Sequence, residues 1–354
     1  MPKQATRNVI NMSKTVYYIG AGASFGKRDE NGIILEGVPV VAEIPREFST
    51  FRRYIADAEI PAGDILFPGI CVTDAENIER YKRTMLSDID DLQRGIQEHA
   101  TIDTYARKLY LTRQFSEFKK LKDVLCSFFV WSQLVNKQDG RYDTFLANIL
   151  EEGTLDLPVD ISIISWNYDS QIEMAYKAYR KDKELPVFEK NIMGEWPRLP
   201  KCGRIFKING SATFVDTPIL SLIKATEKTT PAALQLIRFY DDVRSDTTDW
   251  LAQMRTHLSF SWEKSENHNN MMESLSKTTL DTEQVVVIGY SFPFFNRETD
   301  REIIGSMANL KKIYVQDMNA DEVEQSLMAV LPIDKNIRIE KIYKCSQFCL
   351  PKEL

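Results

Sequence analysis

The sequence predicts a doubly wound α/β fold, a parallel sheet wrapped by helices and carrying helical insertions. Three observations predict it. Short β-branched and aromatic runs recur along the chain and end in small or polar residues, as strands do when they feed tight turns. Helical patterns follow most of these runs, the alternation expected of a parallel sheet. The 354 residues, 43% of them hydrophobic, leave room for about two domains with a large core.

Thr15–Ile19 is the first buried strand and runs into Gly20-Ala21-Gly22-Ala23-Ser24. Leu86–Asn136 follows, almost without Gly or Pro. Within it Phe118, Leu121, Leu125, Phe128, Phe129 and Leu134 fall at helical spacings, so this stretch should be buried against neighbours. Val159–Ser165 reads as the next strand, ending at Trp166-Asn167-Tyr168-Asp169, where Asp169 is placed to cap a helix carrying Ile172, Ala175 and Tyr176. Ile205–Ile208 leads into Asn209-Gly210-Ser211, and a second helical stretch covers Pro231–Lys277. Gln284–Ile288 leads into Gly289-Tyr290-Ser291, and Lys312–Gln316 into Asp317. A helix over Ala320–Leu331 and a strand over Ile337–Ile342 close the pattern. The expected organisation is a Rossmann-like domain of residues 12–84 and 141–345, a helical insertion at 85–140 and a second helical segment at 231–280. Ligands bind beyond the carboxyl ends of such strands, which is where the polar residues gather.

Composition narrows the function. Forty-five Lys and Arg against 51 Asp and Glu give a net charge of -6, which removes the long-range attraction that nucleic-acid binders use, so no direct nucleic-acid partner is expected. No apolar run is long enough to span a bilayer, and Met1–Asn11 has no signal-like core, so a cytoplasmic protein without membrane contact is expected. Cys71, Cys126, Cys202, Cys345 and Cys349 are scattered with no Cys-x-x-Cys pair, so no structural zinc is expected.

Gly20 and Gly22 sit where backbone can approach a pyrophosphate, although the third glycine of a dinucleotide fingerprint is replaced by Phe25. Gly26-Lys27 does not make a phosphate-binding P-loop, because Ala21 and Arg28 stand where that motif needs glycine and a hydroxyl. By their residues alone, the glycines equally make a tight strand-to-helix turn, and Asn167 and Asp169 equally cap a helix.

Taken together and in order, Gly20-Ala21-Gly22-Ala23-Ser24, Asn167-Tyr168-Asp169, Lys207-Ile208-Asn209-Gly210-Ser211 and Gly289-Tyr290-Ser291-Phe292 resemble the sirtuin-like (silent information regulator type) family, especially its bacterial NAD-degrading members of antiviral defence. The motifs touch about 20 residues, framed by Thr15 and Asp317, and leave the helical stretches unmatched. The resemblance implies NAD as substrate, released as nicotinamide and ADP-ribose. It implies that Gly20, Ala21, Gly22 and Ser24 cradle the phosphates, that Gly289 and Ser291 contact phosphate and adenosine ribose, and that Asp317 and Asn319 lie on the adenosine side. Asn167 matches the asparagine beside the nicotinamide ribose, and Asp169 an acidic residue that holds the nicotinamide pocket together.

Cleaving the nicotinamide bond needs stabilisation of an oxocarbenium-like ribose and one water, which suits an asparagine at 167 as a positioning group. The family's histidine base, however, is Asn209 here. An amide takes no proton near neutral pH, and an unreplaced base means a loss on the order of 100- to 10,000-fold. Three alternatives stand: turnover by positioning alone with Asn209 holding water, a base from elsewhere, or a scaffold that binds NAD or ADP-ribose without cleaving it. His99, His257 and His268 are the only histidines, and Glu298 and Asp300 are further candidates. Deacetylation is not expected without the histidine and a four-cysteine zinc module. The resemblance also implies a homo-oligomer and control by a separately encoded partner, a HerA-like ATPase or an Argonaute-like sensor, since the chain ends at Leu354 without a fused sensor.

Overall fold

A computed structural model describes residues 14–67, 71–99, 101–180, 187–189, 203–212, 231–244, 258–264, 266–333 and 335–354. In chain order it contains β1 (Thr15–Ile19), β2 (Lys27–Arg28), β3 (Ile34–Glu36), α1 (Ile44–Ala56), β4 (Asp64–Phe67), β5 (Cys71–Asp74), α2 (Ala75–Gln97), α3 (Ile102–Leu111), α4 (Phe115–Val135) and α5 (Gly140–Ile149). These are followed by β6 (Ile161–Ser165), α6 (Gln171–Tyr179), β7 (Val187–Glu189), β8 (Arg204–Lys207), α7 (Ala232–Arg244), α8 (Glu266–Thr279), β9 (Gln284–Ile288), α9 (Arg297–Ser306), β10 (Lys312–Gln316), α10 (Ala320–Met328) and β11 (Arg338–Ile342).

Seven strands form one sheet in the order β11-β10-β9-β1-β6-β8-β7. Every neighbouring pair in it is parallel. This is the Rossmann-like, doubly wound α/β architecture. The β2–β3 and β4–β5 pairs are separate antiparallel ribbons. The register is flush at the centre, with Ile19 level with Ser165 on one side and Ile288 on the other. The chain runs from β1 to β6, passes to the edge strand β7 and returns to β8 between them, then crosses to β9 and continues outward to β11. Strand order therefore reverses at β1, and a crevice opens beyond its carboxyl end.

Strands β1, β6 and β9 are buried along their whole length, as a sheet covered on both faces requires. Their side chains alternate between two cores. Val16, Tyr18, Ile164, Val285 and Val287 pack with Leu275 of α8, Ile303 of α9 and Leu327 of α10. Tyr17, Ile19, Ile163, Val286 and Ile288 pack with Phe145 of α5 and Ala175 of α6.

A third core belongs to a helical layer made of α1, α2, α3, α4 and α7, with Phe48, Phe51, Met85, Ile89, Ala106, Phe128 and Ile237 among its members. Helix α4 is its centre, and every residue from 123 to 133 is buried. The layer is wider than the 85–140 segment read from the sequence. Residue 85 falls inside α2, and α1 and α2 carry their own apolar stripes into this core. Within the 231–280 segment, α7 joins the layer while α8 covers the sheet. Helix α5, just past residue 139, packs on the sheet. Among the described residues no helix is long and apolar enough to cross a membrane.

Candidate functional site

The rim of the crevice is made of backbone turns that continue the sheet's hydrogen bonds one residue past the strands. The Gly20 amide donates to the Ile288 carbonyl at 3.0 Å, and the Gly22 amide to the Gly289 carbonyl at 2.9 Å. Gly289 adopts φ +58, and a Cβ there would stand 2.4 Å from the Ala23 nitrogen and the Gly22 carbonyl carbon. The β1 and β9 turns thus pack backbone against backbone, which is what their glycines permit.

From the next strand, the Trp166 amide donates to the Ile19 carbonyl at 2.9 Å. Asn167 Nδ2 donates to Ser24 Oγ at 3.1 Å, and Ser24 Oγ lies 2.9 Å from the Tyr142 hydroxyl. Ser24 is fully buried, so it reaches the crevice by holding Asn167. Asp169 Oδ1 accepts from the Gln171 amide at 3.0 Å, and the Ser170 amide donates to Gln133 Oε1 of α4 at 2.7 Å.

Lys207, 1% exposed, lies beneath this loop and donates to the Asp169 carbonyl and, at 3.0 Å, to Glu173 Oε1. Burial raises the Asp169 and Glu173 carboxyls, and the Lys207 ammonium opposes both shifts. For Asp169 the Gln171 amide and the Ser24 hydroxyl oppose it as well.

At the end of β8, Asn209 Nδ2 donates to the Trp166 carbonyl at 3.0 Å. Its Oδ1 is buried with no hydrogen-bond partner among the described residues, and the residue is only 8% exposed.

These turns surround a cleft that is partly open to solvent. Its floor is Ala21, the stretch 166–169, Asn209 and 289–291; its roof is Ile44, the Val38–Val41 loop, Ile102 and Asp103 of α3, and Leu125 and Phe129 of α4. Pro293 and Asn296 close one end. Among the described residues no Lys, Arg or His lines it.

Tyr290 stacks on Trp166 with ring centroids 5.1 Å apart, and behind it a buried network runs inward. Ser261 Oγ donates to Asn296 Oδ1 at 2.7 Å, and Asn296 Nδ2 donates to the Tyr290 hydroxyl at 3.0 Å. Asp300 accepts from the Tyr290 hydroxyl at 3.1 Å and from the Tyr18 hydroxyl. Burial pushes the Asp300 carboxyl up to about 7, against the two tyrosine hydrogen bonds.

Of the residues singled out from the sequence, Ala21, Asn167, Asp169, Asn209, Gly289 and Ser291 line the cleft, while Gly20, Gly22 and Ser24 support it from behind. Asp317 and Asn319 stand at the end of β10, outside the lining. There the Asp317 carboxylate accepts the Asn319 amide at 2.8 Å and opens α10. His99 sits at the end of α2, its Nδ1 2.7 Å from the Gly95 carbonyl, and His268 lies on α8; neither lines the cleft. His257 falls outside the described residues. Glu298 is exposed and pairs with Lys264 at 2.8 Å. Asp103 and Asn296 line the cleft without a sequence signal. Thr101-Ile102-Asp103-Thr104 reads as an ordinary helix start, and Thr101 Oγ1 does accept the Thr104 amide at 3.1 Å.

The lining includes the Asp103 and Asp169 carboxylates, the Asn209 side chain and the exposed Ser291. With two carboxylates and no basic side chain among the described lining residues, it suits hydroxyl donors and positive charge. No protein-family model matches the chain, and no curated protein matches it.

Proposed function

We propose that the protein is a sirtuin-like NAD glycohydrolase that cleaves the nicotinamide–ribose bond of NAD with water. The observation that carries this is the convergence of Asn167 and Asn209 on one cleft beside the paired glycine turns, with the Asn209 side-chain carbonyl buried and lacking a partner among the described residues. A buried acceptor of this kind is costly unless a ligand supplies a donor, and a ribose hydroxyl or the attacking water does so. Asn167, held by Ser24, keeps its amide fixed for the same ribose. The lack of basic side chains among the described lining residues favours a reaction centre that gains positive charge, as an oxocarbenium-like ribose does. The fourfold motif resemblance supports the same reading, and with it NAD depletion in antiviral defence by a homo-oligomer under a HerA-like or Argonaute-like partner.

The test is release of nicotinamide from NAD by the purified protein, alone and with such partners, followed by chromatography. A second reading, an NAD- or ADP-ribose-binding scaffold, is favoured by Asn209, whose amide takes no proton. Measurable NAD binding with no nicotinamide under any condition would replace the first reading with the second.

A further inference from the structure

Among the described residues the floor of the cleft offers no general base. Asn209 is an amide, and Asp169 is held by the Gln171 amide with the Lys207 ammonium nearby. The described histidines lie elsewhere. The roof does offer one. Asp103, in the first turn of α3, lines the cleft opposite the strand ends and forms no salt bridge with any described residue. It lies near enough to the stretch 167–169 for its charge to help raise the Tyr168 phenol, after burial itself. Its neighbours in the roof, Ile102, Leu125 and Phe129, are apolar. Lining the same cleft is Asn209, 8% exposed, whose side-chain carbonyl has no donor among the described residues. A carboxylate and an amide carbonyl in a cleft with no basic side chain among its described lining residues suit a water held between two acceptors beside a positively charged group.

We propose that Asp103 is the charged catalytic residue of this cleft: it faces the positive charge of the nicotinamide riboside and accepts the proton of the attacking water, the task that the amide at 209 cannot perform. The assignment rests on NAD cleavage being the reaction of this cleft. In that step the bond between C1′ of the ribose and the nicotinamide nitrogen breaks, and both electrons stay on nitrogen, so the pyridinium leaves neutral. The water oxygen bonds to C1′ and its proton passes to the Asp103 carboxylate, then to solvent; nothing is oxidised or reduced. Burial raises the Asp103 carboxyl above its ordinary range, opposed by its own backbone amide, which makes it a stronger base than an exposed aspartate. The same charge gives the cleft a preference for the oxidised, cationic ring over the neutral dihydronicotinamide.

The experiment uses the full chain and the variants D103N and D103E, with circular dichroism as the check on folding. Nicotinamide release is measured from NAD. Binding is measured calorimetrically with NADH and with carbocyclic NAD, which keeps the pyridinium charge but resists cleavage. D103N should lose about 100-fold or more in kcat with KM rising by about the tenfold that the lost charge attraction is worth, and D103E should recover part of both. The wild type should bind carbocyclic NAD about tenfold or more tighter than NADH, and D103N should lose that preference. Wild-type cleavage and ring preference both surviving in folded D103N would overturn the role of Asp103 and leave NAD cleavage intact. A wild type that binds carbocyclic NAD with an Asp103-dependent preference yet never cleaves NAD would overturn the hydrolase and the base role, keeping only the charge selection. A wild type that binds no dinucleotide overturns both.

Discussion

Replacing Asp300 by asparagine should alter how the stability of the fold depends on pH. The carboxyl is fully buried under the cleft wall, accepting from the Tyr18 and Tyr290 hydroxyls. Burial moves it from an ordinary 3.8 up to about 7. The sign follows from proton counts. Between those two values the folded protein holds the proton more firmly than the unfolded chain, so stability from this group is fully present below about pH 4 and declines as pH rises through about 7. At about 1.4 kcal/mol for each pH unit across that interval, the decline amounts to roughly 4 kcal/mol. Asparagine does not titrate. It does lose an acceptor for one tyrosine, a cost of about 1 to 3 kcal/mol that is the same at every pH. Urea unfolding of both proteins at several pH values between about 4 and 7.5 gives the difference in stability between them. That difference should change by up to roughly 4 kcal/mol in favour of the variant as pH rises, with other titrating groups cancelling. Parallel stability profiles would show that Asp300 is ionised in the fold at neutral pH and that the tyrosine network holds a charge rather than a proton.

Asn167→Ala should abolish nicotinamide release while lowering stability by no more than about 1.5 kcal/mol, since one hydrogen bond to Ser24 is lost and Tyr142 still holds that hydroxyl; a collapse seen in urea unfolding would make Asn167 a structural cap instead. Gly289→Ala forces a left-handed φ on a side chain whose Cβ meets backbone 2.4 Å away, so it should cost at least about 2 kcal/mol and weaken binding of carbocyclic NAD, both readable by urea midpoint and calorimetry. Lys207→Met leaves the buried Asp169 and the half-buried Glu173 without their shared ammonium and should cost somewhat less than the roughly 3 to 5 kcal/mol of a fully buried pair at neutral pH. Adding Glu173→Gln should recover part of that loss, and an unchanged unfolding midpoint in the single variant would count against the buried pairing.

Much of the sheet was legible because its strands obey local rules. Gln284–Ile288 and Lys312–Gln316 are apolar runs bounded by polar residues, and the strands occupy those residues. What was not legible depends on partners distant in the chain. Strand β7 is three residues long and exists by pairing with β8, and α1 and α7 join a helical core through Phe48, Phe51 and Ile237 from segments far apart in the sequence. An amphipathic stripe announces that a helix is buried but not against what, which is why the helical layer extends beyond residues 85–140.

The cleft divides in the same way. Its floor was readable since a parallel sheet carries the segment after each strand to one edge, and glycines at 20, 22 and 289 mark where two of those segments must touch. Its roof was not, because Asp103 owes its position to the packing of α3 on α4, and its residue type at a helix start matches the most ordinary capping pattern. Asn209 sharpens the point. Read along the chain, it stands where the resemblance implies a base; set in the fold, it lines the same cleft as a carboxylate that the neighbouring layer brings in. If the two act on one water, reactivity is divided between an amide that orients and a carboxylate that accepts the proton, and restoring histidine at 209 should then raise cleavage far more in D103N than in the wild type.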